Sequence, residues 1–395
     1  MDAEEACGDI YEYGIDDDHL NIIYNSNKEV VINVKTPHGP SKDYKLTKRI
    51  MQGDTWPCAL ASAQVEAFGK DMLDEEPKDM YQYMGLDLIP LLGQVDDLVG
   101  VAEAGHKTKQ LNAFVNVKTA GKDLQFGPDK CKSMTVSKMQ VASFLTPELK
   151  VDAWELSHKP NENMTEQYIE KVKMENEDSL VYLGHVLSQN GGNMKNILHK
   201  RNKSIGTKKL IPLLIKHLGP YTFEAAIIYI KSLLRTSILY GAETMFNLTE
   251  KELRVLESIE ESVLQEVFQT KRSCSRHLLY LESGMIPARY QIHRQMMNFL
   301  QYLLLQPDTS ILNRVFRAQK QNPTRGDWVQ NVTKLLSEYN INITLSEIKS
   351  KKPSLFKSMV KRKVHAKAFE DLIKKRMMDR KVAISSMKNL RWPPT

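Results

Sequence analysis

Along the first third of the chain the spacing of apolar residues changes period repeatedly, the mark of short strands interleaved with helices. A helical stretch is expected over Ile10 to Asn25, followed by strand-like alternation in Val30, Val31, Ile32, Asn33 and Val34. Thr36, Pro37, His38, Gly39 and Pro40 read as a turn returning the chain toward Tyr44 and Leu46, so a hairpin is predicted there. A small-residue stretch from Cys58 to Lys70 follows, with Pro57 suited to a first helical position. Two apolar runs, Leu88 to Val95 and Leu98 to Val101, bracket Asp96 and Asp97 and predict strands buried on both faces. Thr108 to Ala120 reads as a helix with Leu111, Phe114 and Val115 on one face and Gly121 as its cap. Short strands are expected over Leu124 to Phe126 and Ser133 to Val136. The polar, poorly periodic stretch 145–178 reads as an insertion. Val181 to Leu187 then returns to strand character and ends at the turn signal Asn190 to Asn193.

From Lys195 onward the period becomes helical. Thr249 followed by Glu252 is a capping box, and Leu248 with Leu253 is placed for a hydrophobic staple. Leu253, Leu256, Ile259, Val263 and Val267 continue that helix as an apolar stripe. Another helix is expected to start near Pro287, turning Tyr290, Met297, Leu300 and Leu304 inward and leaving Arg289, His293 and Arg294 among its polar positions. Such stripes are packing surfaces first. The pattern implies an α+β fold: a mixed region over 1–195 with antiparallel sheet and helices, a helical region over 196–345, and a basic, partly helical tail over 346–395.

Charge sharpens this picture. The chain of 395 residues carries a formal +7, but Lys349 to Arg391 holds 15 Lys and Arg against Glu370, Asp371 and Asp379, a local +12 that leaves the remainder near −5. A tail this basic beside a mildly acidic body is suited to phosphate contact, with Lys361, Arg362 and Lys363 as its densest run; the competing reading is a solvated helix face. The cysteines, Cys7, Cys58, Cys131 and Cys274, have neither zinc-ligand nor disulfide-framework spacing, which predicts reduced thiols. Met1 to Asp9 is acidic and lacks a secretory signal pattern, and apolar stretches end before the ~18 to 20 residues a membrane span needs. An intracellular protein, nuclear or cytoplasmic and without a membrane, is expected. No phosphate-binding G-x-x-x-x-G-K-[ST] loop, dinucleotide fingerprint or Ser/His/Asp and Cys/His arrangement is present, so those enzyme classes drop out. His185, inside a strand, reads as structural.

The sharpest chemical feature is Asp96 with Asp97. Neighbouring side chains in a strand point to opposite faces, so two adjacent carboxylates share one site only where the chain turns. Two carboxylates at a hairpin tip suit divalent cations, and in-line phosphoryl transfer with two metals needs such an arrangement. Around this pair the sequence resembles the reverse transcriptase domain of non-LTR retrotransposons, through successive motifs between Asp9 and Asn190. Met51, Gln52, Gly53 and Asp54 with Pro57 resemble the family's Q-G-D-x-x-x-P motif, which implies that Gln52, Gly53 and Asp54 lie along template and incoming nucleotide. Gln94, Val95, Asp96 and Asp97 stand where the family has an aromatic, a small residue and the metal-binding pair, with Gln94 replacing the aromatic. Phe126 to Lys132 resembles the next motif; Lys130, and after it Lys132, is the candidate general acid for the pyrophosphate leaving group. Tyr182, Leu183 and Gly184 look like the hairpin that grips the primer end, and Ser232 through Arg289 is similar to thumb segments of such elements.

The resemblance implies an RNA-directed DNA polymerase: Asp96 and Asp97 holding Mg²⁺ or Mn²⁺, with RNA template, DNA primer and deoxynucleoside triphosphates as partners. In the family a third metal-binding aspartate lies upstream of the helix matching Ile10 to Asn25, and only nine residues precede that helix here. Asp9 and Asp16 to Asp18 are better explained by capping or exposure. With two carboxylates the site is underligated, so weak metal binding and little polymerisation are expected. The alternatives are a non-catalytic nucleic-acid-binding remnant and a helical interaction protein.

Overall fold

The computed structural model describes residues 7–8, 10–11, 14–28, 30–46, 59–60, 62–63, 66, 82–83, 86–87, 91–94, 97–103, 105–121, 127, 130–136, 149–156, 166–217, 223–271 and 273–388. The chain forms two compact units, Met1–Leu183 and Gly184–Thr395. Small sheets and many helices make the fold α+β.

The first unit opens with helix α1 (Asp17–Lys28). Asp16 starts it: its carboxylate accepts the His19 backbone N–H at 3.0 Å, and the His19 ring Nδ1 lies 2.7 Å away. That backbone bond, and then the ring, hold the Asp16 carboxyl below its ordinary range, consistent with a capping role at the helix start. Ile23 packs with Cys7, Ile10, Leu60 and Ala63 in a small apolar cluster. The predicted hairpin forms: β1 (Val30–Ile32) pairs antiparallel with β4 (Tyr44–Leu46) around a tighter pair, β2 (Lys35–Thr36) and β3 (Gly39–Pro40). Antiparallel pairs β5 (Gln82–Tyr83) with β6 (Leu86–Asp87), and β7 (Leu91–Gln94) with β8 (Asp97–Gly100), come next. Helix α2 (Gly105–Gly121) then buries Leu111, against which Leu98, Ala102, Phe114 and Val115 pack.

Two expectations change here. Strands β7 and β8 form a two-stranded sheet with one packed side; Leu92 is 42% exposed, because no further strand or second layer covers it among the described residues. The stretch read as an insertion contains an ordered hairpin, β10 (Lys150–Leu156) with β11 (Glu166–Lys173), following the short strand β9 (Lys132–Ser133). Its register opposes Asp152 to Lys171, and its irregularity at Ala153/Trp154 breaks the apolar alternation that would have announced it. Asn112 and Asn116 of α2 both donate to the Lys150 carbonyl at 2.9 Å, tying the hairpin to that helix. Strand β12 (Glu175–Asn176) pairs parallel with β9, and β13 (Ser179–Tyr182) closes the unit.

The second unit begins with β14 (His185–Ser188) and continues through α3 (Met194–His217) and α4 (Phe223–Tyr229) into a π-helical turn over Ile230–Leu234 and α5 (Arg235–Ile238). Helices α6 (Glu250–Val267), α7 (Arg276–Ser283), α8 (Ala288–Leu305), α9 (Ile311–Gln321), α10 (Trp328–Glu338), α11 (Leu345–Ser350) and α12 (Pro353–Lys388) complete it. Thr249 and Glu252 form the predicted reciprocal capping box of α6, and the stripe Leu253, Leu256, Ile259, Val263, Val267 is buried. Sequence placed a boundary near 346, yet α12 packs against α7 and α8. Phe356, Val360, Val364 and Ala368 are fully buried, and Leu372 nearly so. A stripe at every fourth residue is hidden in a composition dominated by Lys and Arg, so charge made a core helix look like a tail.

Candidate functional site

The register Gln94↔Asp97 between β7 and β8 leaves two residues to connect the strands, the tight hairpin expected around the acidic pair. Val95 and Asp96 lie outside the described residues, as do Gln52, Gly53 and Asp54. Asp97 is exposed at the first position of β8. Its carboxylate acts across space on Tyr182: burial first, and then the Asp97 charge, push the Tyr182 phenol above its ordinary value. Two motifs separated by nearly half the unit's length in sequence are thereby within electrostatic reach of one another.

Tyr182 leads into a turn in which Leu183 has φ 45° and Gly184 φ 77°. Two successive left-handed residues are the mirror-image turn that matches strand twist, where Asn, Asp or Gly is favoured at both central positions. Leu183 carries this left-handed conformation while 39% exposed, so its apolar burial is only partial.

Lys130 closes a turn whose backbone N–H donates to the Gly127 carbonyl at 2.9 Å, and its exposed side chain makes no ion pair among the described residues. Lys132 differs. Its Nζ lies 2.6 Å from Glu177 and 3.8 Å from Glu175, and the Glu177 hydrogen bond and charge raise its pKa. A lysine held protonated by two carboxylates is a poor proton donor, which keeps Lys130 ahead of it.

The chain matches no protein-family model and no curated protein. Its chemistry therefore rests on the residues themselves. Among the described residues no group of three or more His, Cys, Asp or Glu side chains is placed to hold a metal ion. Asp97 alone supplies too few oxygens for Mg²⁺, so the described donors do not form such a site.

In the second unit the polar positions of α8 are not solvated. Arg289 Nε donates to Glu257 at 2.7 Å, and its Nη atoms donate to Glu250 at 3.0 Å. Burial pulls the Arg289 pKa down, but these bonds outweigh it and leave it raised. His293 Nδ1 lies 2.7 Å from the Tyr339 hydroxyl, and burial followed by the Arg289 charge lowers its pKa to about 4. Arg235 makes a paired contact with fully buried Glu260, Nε–Oε1 2.6 Å and Nη2–Oε2 3.1 Å, and Tyr280 donates to the same carboxylate at 3.2 Å. Lys200 is buried and donates to the Tyr240 carbonyl at 2.6 Å; burial, then Lys203, lower its pKa to about 8. His185 lies obliquely against Tyr240 with ring centroids 5.5 Å apart.

The basic run of α12 is spread around the helix. Consecutive helix residues differ by about 100° around the axis. Lys361 lines a cavity shared with α5 and α8, whereas Arg362 is exposed and Lys363 is half-buried. Sequence missed the other basic residues of that cavity, Lys231, Arg235 and Arg294, because they are scattered over separate helices.

Proposed function

We propose that this chain is a nucleic-acid-binding protein of reverse-transcriptase type, related to the polymerases of non-LTR retrotransposons, with a palm-like first unit and a thumb-like second. One observation carries the reading: the hairpin ending at Asp97 and the turn following Tyr182, distant in sequence, are electrostatic neighbours. That pairing is what the resemblance requires of a metal-binding tip beside a primer-gripping turn. The left-handed, partly exposed Leu183 adds support, since backbone strain is often retained where a turn has work other than stability. Template RNA, primer DNA and deoxynucleoside triphosphates are the partners on this reading, and Mg²⁺ or Mn²⁺ would supply charge neutralisation at the transferring phosphate when held by Asp96 and Asp97.

Asp96 lies outside the described residues, so binding and polymerisation are distinguished by experiment. Two measurements on the full chain separate them. Labelled primer–template is expected to bind with affinity that falls as salt rises, by a log–log slope of roughly −0.9 per phosphate neutralised. Primer extension with Mg²⁺ or Mn²⁺ is expected to be weak or absent, and any extension should vanish in the Asp96→Ala, Asp97→Ala double variant. Failure to bind primer–template at low salt would sink the proposal.

A further inference from the structure

The second unit contains a cavity of about 680 Å³, within the range of about 300–1,000 Å³ typical of small-molecule sites. Its wall is strongly one-signed: Lys231, Arg235, Arg294 and Lys361 are cations, and Glu243 is the sole carboxylate among the lining residues. Arg235 is already matched by Glu260. Lys231, Arg294 and Lys361 make no ion pair or hydrogen bond among the described residues, although each carries long donors facing the same space.

Three more groups await partners. The His365 Nε2 is buried without a hydrogen bond, as is the Gln295 Oε1. Gln291, only 7% exposed, lines the cavity with no hydrogen-bond partner for its amide among the described residues. The Gln291 amide and the cations Lys231, Arg294 and Lys361 are donors that a guest supplying acceptor oxygens would satisfy, whereas the Gln295 oxygen is itself an acceptor and does not favour an anion.

The electrostatics agree. Burial first, then Arg235 and Lys361, lower the Lys231 pKa; burial and Arg235 lower that of Arg294. His365 is lowered by burial and then by Arg294, Lys361, Arg235 and Lys231 together. These cations repel one another across a partly desolvated space. Among the described residues lining the cavity, Glu243 is the one carboxylate that relieves this cost, and Glu260, bonded to Arg235, is already engaged.

We propose that this cavity binds linked phosphate groups, with the Arg294 guanidinium and the Lys231 and Lys361 ammoniums as the principal contacts and Gln291 and His365 as further donors. Guanidinium forks and ammonium point charges match phosphate oxygens, and several adjacent cations favour two or three joined phosphates over one. The site lies wholly in the second unit, and it is independent of the polymerase reading. Free oligophosphate and the backbone of a single strand share this chemistry.

The test uses the full chain with sodium triphosphate as probe, followed by calorimetry and by the thermal midpoint. Saturable binding and a raised midpoint are expected. Lys361→Gln and Lys231→Gln, both at exposed positions, should weaken binding tenfold or more. Arg362→Gln, which removes the same charge one residue away on an exposed face, should change it less than threefold. Displacement of triphosphate by an unphosphorylated oligothymidylate would identify the backbone as the natural source, and retention of triphosphate would identify the free anion. No binding, or equal weakening by Lys361→Gln and Arg362→Gln, overturns the site.

Discussion

At the residue scale, two side chains hold conformations or charge states that cost free energy in isolation. Leu183 sits at φ 45° with its side chain substantially exposed. Leu183→Asn should stabilise the fold by about 0.5–1 kcal/mol, since a left-handed residue costs an ordinary side chain roughly 1–2 kcal/mol and Asn less. Chemical denaturation of the two proteins decides this, and unchanged or lower stability in the variant would remove the strain argument. His293 is held neutral, with its pKa depressed to about 4. An unfolded histidine titrates near 6.5, so between these values the unfolded chain binds the extra proton. Stability from this group is therefore complete above about pH 6.5 and is lost as pH falls toward 4, by up to roughly 3 kcal/mol. In His293→Asn, which keeps an acceptor for the Tyr339 hydroxyl, that part of the acid destabilisation should disappear from urea midpoints measured at pH 7 and 4.5.

At the element scale, local signals and buried charge divide the stabilisation of the helical unit. The Thr249–Glu252 capping box is a purely local device that satisfies donors at the start of α6. Thr249→Ala should cost about 1 kcal/mol in thermal or denaturant unfolding, and no loss would mean the helix start is set by packing alone. The Arg235–Glu260 pair is of the opposite kind, joining α5 to α6 across the core, with Arg235 Nη2 also donating to the Ile286 carbonyl at 2.5 Å. Arg235→Met should cost about 3–5 kcal/mol because Glu260 would be left charged and buried. Arg235→Met with Glu260→Met should recover most of that loss; a double variant as unstable as the single would show that the hydrogen bonds to Ile286 and Tyr280 dominate instead.

At the scale of the whole molecule, the main hydrophobic cluster draws all of its buried members from Ile197 to Leu372, inside the second unit. A fragment from Gly184 to Thr395 should therefore fold cooperatively by circular dichroism, and a non-cooperative melt would argue against the division. Much of this unit was legible in sequence. Capping box, apolar stripe and the helix following Pro287 are contiguous patterns whose meaning is set within a few turns of chain. In the first unit, the hairpin of Val30 to Leu46 and the α2 helix were legible for the same reason, whereas β10 and β11 were not, since a register irregularity and polar flanks erase the alternation. What sequence alone determined, then, was periodicity, turn chemistry and the adjacency of Asp96 with Asp97. Only tertiary structure decided that Asp97 comes within electrostatic reach of Tyr182, that α12 belongs to the core, and that Lys231, Arg294, Lys361 and His365 share one cavity. Burial and charge convergence depend on which helices pack, and packing joins residues whose distance along the chain carries no information about it.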